Sequence, residues 1–171
     1  MKIRLVMWED CERECPGCCM RDWDFFSLPP VTPIDLGAAD QILLTGGEPL
    51  LDPYALHMLI SYITKYSLAE VIVYTAKTDD TPLLLGLLGA VDGLTVTLHD
   101  QSDVTSFLRF NAALPAGTLH RKSLRLNVFK GVDITGHSLY HWNVRDNMVW
   151  IKDCPLPEGE VLMRFDPSLI K

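Results

Sequence analysis

From residue 2 to residue 129 the chain alternates short apolar runs, each the length of a buried strand, with segments whose apolar positions recur at helical spacing. The runs at 2–8, 41–45, 71–75, 94–98 and 124–129 read as strands. Helices are expected at 33–39, 53–66, 80–88 and 103–113. The helix at 53–66 is the most clearly signalled, because Asp52 and Pro53 supply an N-cap and a first-turn proline, and Leu56, Leu59, Ile60 and Ile63 then share one face. In the helix at 103–113, Val104, Phe107, Leu108 and Asn111 are expected toward the core. Strand–helix alternation requires a parallel sheet with right-handed crossovers, whose ligands lie beyond the carboxyl ends of the strands. After residue 130 the pattern changes. Residues 142–144 and 148–151 flank a polar stretch and read as a hairpin, and 161–165 as a last short or edge strand.

A length of 171 residues with 48% hydrophobic content suits one domain with a sizeable core, so no second domain is expected. A net charge of −7 argues against a broad grip on nucleic acid or an anionic membrane. The apolar run at 83–91 is interrupted by Gly86 and Gly89 and falls far short of the roughly 20 residues that span a bilayer. The first ten residues lack the apolar core and cleavage site of a signal peptide, which makes the cytoplasm the expected compartment.

Four of the five cysteines, Cys11, Cys15, Cys18 and Cys19, fall within nine residues directly after the first strand. In a reducing compartment such clustering favours metal ligation over disulfides. Cys154 stands apart and is expected to be a buried thiol. The C-x3-C-x2-C spacing of Cys11, Cys15 and Cys18 supplies three thiolates, enough for three corners of an iron–sulfur cube, with Pro16 and Gly17 suited to the tight wrap. The competing reading is a structural zinc site completed by Cys19 or a remote histidine, although zinc sites normally draw a second ligand pair from elsewhere and no second pair is evident. The second strand ends in Gly46, Gly47 and Glu48. There the glycines permit close backbone approach to a ligand, and the glutamate can accept hydrogen bonds from an amine.

These two motifs, in this order and spacing, resemble the radical S-adenosylmethionine superfamily over residues 2–130. The resemblance implies an α/β fold, a partial, open (β/α) barrel of about five parallel strands (1–130), with 131–171 as a C-terminal β-hairpin extension of a single domain. It implies a [4Fe-4S] cluster on Cys11, Cys15 and Cys18, and S-adenosylmethionine held at its amino group by Gly46, Gly47 and Glu48. Reductive cleavage would give a 5′-deoxyadenosyl radical, with the electron from a donor such as flavodoxin or ferredoxin. Thr75, Lys77, Arg125 and Asn127 occupy positions where the family often contacts the cosubstrate, each with an alternative role in capping or at the surface. The short chain resembles the activating proteins of anaerobic ribonucleotide reductase, which implies a large glycyl-radical enzyme as partner. A compact small-molecule enzyme such as a deazaguanine-forming synthase, and a non-catalytic cluster- or zinc-binding module, are the alternatives.

Two departures accompany the resemblance. Gly17 stands where the family commonly has an aromatic residue near the adenine, and Cys19 is an additional thiol outside the ligand set, expected to be packed or idle. His99, directly after the fourth strand, is a candidate substrate contact or a loop-bonding residue, whereas His57, His120, His137 and His141 read as structural or surface residues. Trp142 and Trp150 are expected to serve packing.

Overall fold

The computed structural model describes residues 1–115 and 119–170, with the side chain of His120 outside the described set. The chain divides into two compact units, one formed by Met1–Val73 with the segment from Trp150 onward, the other by Tyr74–Val149. The described residues form seven strands and four α-helices.

In the first unit, β1 (Lys2–Val6), β2 (Gln41–Thr45), β3 (Glu70–Thr75) and β7 (Glu160–Arg164) lie side by side in the order β3-β2-β1-β7, every pairing parallel. Ile42, Leu43 and Leu44 are almost fully buried, as expected for a strand covered on both faces. Between these strands run α1 (Pro33–Ala38) and α2 (Pro53–Tyr66). Helix α1 starts from a reciprocal cap: Thr32 Oγ1 accepts from Asp35 N (3.2 Å), and Asp35 Oδ2 accepts from Thr32 N (2.9 Å). Helix α2 has the expected bounds. Asp52 accepts from Ala55 N at 2.9 Å, and Leu56, Leu59, Ile60 and Ile63 form the buried stripe.

The second unit contains α3 (Thr81–Ala90), β4 (Gly93–Leu98), α4 (Ser102–Ala113), β5 (Ser123–Phe129) and β6 (Asn143–Met148), with β4, β5 and β6 adjacent and parallel. Helix α4 buries Val104, Phe107 and Phe110. Leu108 and Asn111, expected inside, are half-buried, and the helix turns Phe110 inward instead. The indole of Trp142 explains the difference. It packs edge-on against Phe107 and Phe110, at centroid distances of 5.2 and 6.2 Å, and donates through Nε1 to Asn111 Oδ1 at 2.9 Å. Trp142→Ala is expected to lower the stability of this unit by about 3–5 kcal/mol, read from the denaturant midpoint. A loss below about 1 kcal/mol would show that the indole is not part of the core.

The five strands expected within 1–130 are present as β1–β5, and the C-terminal hairpin is corrected. Among the described residues β6 and β7 bring the strands to seven, and the segment expected to fold back on itself is the single strand β6, parallel to β5. The polar residues Arg145, Asp146 and Asn147 suggested a turn. They lie exposed along β6, where side chains need no burial, and Asn147 (φ 56°) falls where the β5–β6 register shifts. The expected last strand is present as β7, beside β1. Among the described residues no helix is long and apolar enough to cross a membrane.

Candidate functional site

Strands β1 and β2 are parallel neighbours, so the loops after them leave the first unit at the same end. Backbone hydrogen bonds continue past the strands and stitch the loops together. Met7 N donates to Thr45 O (2.9 Å), Gly47 N to Trp8 O (2.7 Å) and Glu48 N to Asp10 O (3.0 Å). The Trp8 indole adds a bond from Nε1 to Glu48 O at 3.0 Å.

This joint explains both glycines. Gly46 has φ +116°, and a Cβ there would lie 2.8 Å from Trp8 O and from Val6 Cγ1. A Cβ on Gly47 would lie 1.8 Å from Asp10 O. The close approach these residues permit is therefore to the lead-in of the cysteine loop. Glu48 is buried at 5% exposure, and its Oε1 accepts from Leu50 N at 3.0 Å, capping the short turn Pro49–Leu51.

Cys11, Cys15 and Cys18 are all free thiols, the first exposed and the others half-buried. Cys18 N donates to Cys15 O at 3.3 Å, closing the tight turn around Pro16 and Gly17. Partial burial pushes the Cys11 thiol up. The hydrogen bond from Arg13 N (3.4 Å) opposes the shift, and the charges of Glu48 and Cys18 reinforce it. Burial likewise raises Cys15, opposed by Arg13 and reinforced by Cys18 and Cys11. The three sulfurs thus lie within electrostatic reach of one another, and a nearby cation is what would draw them into the thiolate form.

Among the described residues no group of three or more His, Cys, Asp or Glu side chains is arranged to hold a single metal ion. A cube makes a different demand, since each thiolate bonds its own iron and the sulfurs need not point at one centre. Three free thiols on one short loop fit that donor set.

Cys19 and Cys154 are the contrary case, being joined in a disulfide across 135 residues, with Cα atoms 5.4 Å apart. The reading of Cys19 as an idle thiol and of Cys154 as a free buried one is thereby corrected. Adjacent cysteines make poor partners for each other, but the return of the chain toward β7 brings a distant one to the loop. A signal for it lay in parity: assigning three cysteines to the motif leaves two. The same return places Trp150 on Gly17, where a Cβ would lie 2.7 Å from the tryptophan Cβ. Trp150 therefore covers the position at which an aromatic residue was missing. Counting thiols in the unfolded, unreduced protein should find three reactive groups of five, and Cys154→Ser should lower stability by about 2–4 kcal/mol. Five reactive thiols would remove the link.

The remaining candidates belong to the second unit. The hydroxyl of Thr75, which is buried, accepts from Lys77 N at 2.9 Å, a turn-forming role. Lys77 Nζ lies 3.6 Å from Asp79 Oδ2. Arg125 and Asn127 are half-buried on β5, and Asn127 Nδ2 lies 3.5 Å from Thr97 Oγ1. His99 donates its backbone N–H to Asp103 Oδ2 at 2.8 Å, and its ring lies tilted at 43° to that of Phe129 with centroids 5.0 Å apart, consistent with a loop-bonding role. Of the two tryptophans expected to pack, Trp142 is buried and Trp150 is 37% exposed. Comparison of the chain with family models, curated proteins and solved structures finds no match.

Proposed function

We propose that this protein is a radical S-adenosylmethionine enzyme, with Cys11, Cys15 and Cys18 holding a [4Fe-4S] cluster and the Gly46–Gly47–Glu48 turn receiving the amino end of the cosubstrate. One observation carries the reading. The three free thiols lie on a loop that backbone bonds fasten to that turn, so the two motifs are physically one unit. A bound cluster would supply the electron that cleaves S-adenosylmethionine to methionine and a 5′-deoxyadenosyl radical, which takes hydrogen from a substrate. The chain's own residues set the conditions for this. The cysteine loop leaves one corner of a cube without a protein ligand, Glu48 offers a buried carboxylate to an amine, and the Trp150 indole covers Gly17 beside the third thiol. A zinc site of four thiolates is disfavoured because its fourth candidate, Cys19, is bonded to Cys154.

Anaerobic reconstitution with iron and sulfide should yield about four of each per chain and a broad visible absorption. With a strong reductant and S-adenosylmethionine, 5′-deoxyadenosine should accumulate. Stoichiometric zinc in anaerobically prepared protein, with no iron uptake, would overturn the reading. Mixing with a large glycyl-radical enzyme tests the activase form, for which a glycyl radical signal by electron paramagnetic resonance is the expected result. Absence of that signal alongside active cosubstrate cleavage would instead favour a small-molecule substrate.

Glu48→Gln keeps an oxygen for Leu50 N while removing the charge. Cosubstrate affinity should fall by about tenfold or more, as for the loss of one charge-assisted hydrogen bond, with iron content unchanged. Unaltered affinity would exclude Glu48 as the amine acceptor.

A further inference from the structure

The strands of the second unit present two unlike faces. Strands β4 and β5 pair in register from Gly93 opposite Ser123 to Leu98 opposite Val128, and β5 meets β6 with Arg125 opposite Asn143 and Asn127 opposite Arg145. Side chains alternate along each strand, so Leu94, Val96, Leu124 and Leu126 share one face, where they are buried. The other face carries Thr95 and Thr97 on β4, Arg125 and Asn127 on β5, and Asn143 and Arg145 on β6. Asn127 Nδ2 lies 3.5 Å from Thr97 Oγ1, as the shared face requires.

All of these side chains are polar, none is acidic, and the two arginines make the face cationic in a chain whose net charge is −7. Asp146, the acid of β6, follows Arg145 and so alternates away from them. Among the described residues neither Arg125 nor Arg145 takes part in an ion pair, whereas Arg4 in the first unit donates to Glu160 Oε2 at 2.7 Å. Arg125 is half-buried, which makes an unmatched charge there more costly than one in open water. Its neighbour across the β4–β5 pair has an unmet need of its own. Thr95 is 2% exposed, and its Oγ1 is buried with no hydrogen-bond partner among the described residues. A buried hydroxyl left unpaired costs free energy that packing does not return.

We propose that this face binds the phosphate group of a small molecule. The site lies wholly in the second unit and does not depend on the cluster reading. A phosphate carries up to two negative charges, which two guanidiniums match, and its several oxygens can each accept. Arg125 offers a fork of parallel N–H donors, Asn127 an amide N–H, Thr97 a hydroxyl, and Thr95 a buried hydroxyl at the floor of the face. Arg145 on the outer strand supplies the second charge. A lone carboxylate would leave one guanidinium unmatched and has too few oxygens for these donors.

The test is isothermal titration of the full chain with inorganic phosphate, comparing wild type with Arg125→Gln, Arg145→Gln, Thr95→Val and, as a control for charge alone, Arg109→Gln at an exposed position of α4. Wild type should bind saturably. Arg125→Gln should weaken binding by about tenfold or more, the more exposed Arg145→Gln by about threefold, and Arg109→Gln by less than about twofold. Thr95→Val separates binding from structure. Removing an unpartnered buried hydroxyl should leave the denaturant midpoint unchanged or raised, while phosphate affinity falls by about threefold or more. A lowered midpoint with unaltered affinity would make Thr95 a structural residue and overturn the site. So would absence of saturable binding, equal weakening by Arg109→Gln, or tighter binding of acetate than of phosphate. Displacement of phosphate by S-adenosylmethionine would return these residues to the cosubstrate and overturn it as well. Should Arg125→Gln fail to fold, Arg145→Gln and Thr95→Val decide the outcome.

Discussion

Cys15→Ala is expected to reduce iron uptake on reconstitution from about four per chain to below about one, and to abolish release of 5′-deoxyadenosine. Three irons of a cube take one thiolate each, and the loop offers only Cys11, Cys15 and Cys18, because Cys19 is committed to Cys154. No spare thiol can replace the middle ligand. The fold should tolerate the change, since Cys15 lies outside every strand and helix and is half-buried, so the far-ultraviolet spectrum should match that of the wild type. Cys19→Ser is the matched control on the neighbouring position. It breaks the disulfide and lowers stability, yet should retain full iron. If Cys15→Ala reconstituted as well as Cys19→Ser and still released 5′-deoxyadenosine, the ligand set would have to be sought elsewhere in the chain.

The contrast between these two cysteines shows how far the residues could be read without coordinates. Everything local was legible. The cap and stripe of α2 appear with the expected bounds because Asp52, Pro53 and the leucine–isoleucine periodicity act within a few residues of one another. The alternation of apolar runs and helices yields parallel pairing in each unit for the same reason. What could not be read depends on where the chain goes after residue 130. Residues 143–148 carry turn-like polar side chains, and only their position on the open side of β5 makes them a strand. Cys154 and Trp150 meet the cysteine loop, and Arg164 meets Val6, across more than 130 residues, and no periodicity encodes such contacts. The glycine turn was legible as a place of close approach, but not that the approaching group is the backbone of Asp10.

Gly47→Ala would force this close approach apart. A Cβ would sit 1.8 Å from the carbonyl oxygen of Asp10, well inside contact distance and against backbone, which cannot rotate away as a side chain can. Relief requires the loops to part, breaking Gly47 N to Trp8 O (2.7 Å) and Glu48 N to Asp10 O (3.0 Å). Two lost hydrogen bonds and the displaced lead-in together should lower stability by about 3 kcal/mol or more, measured by chemical denaturation. Because the lead-in carries Cys11, cluster uptake should fall as well, even in the fraction that remains folded. Gly86→Ala and Gly89→Ala provide the opposite sign. Both lie inside α3 with nothing within 4 Å of an added Cβ, so alanine should raise helix stability by about 0.5–1 kcal/mol and leave iron uptake unchanged. A Gly47→Ala protein with wild-type stability and full iron would mean that the two loops are not joined through this backbone, which would remove the observation on which the proposed site rests.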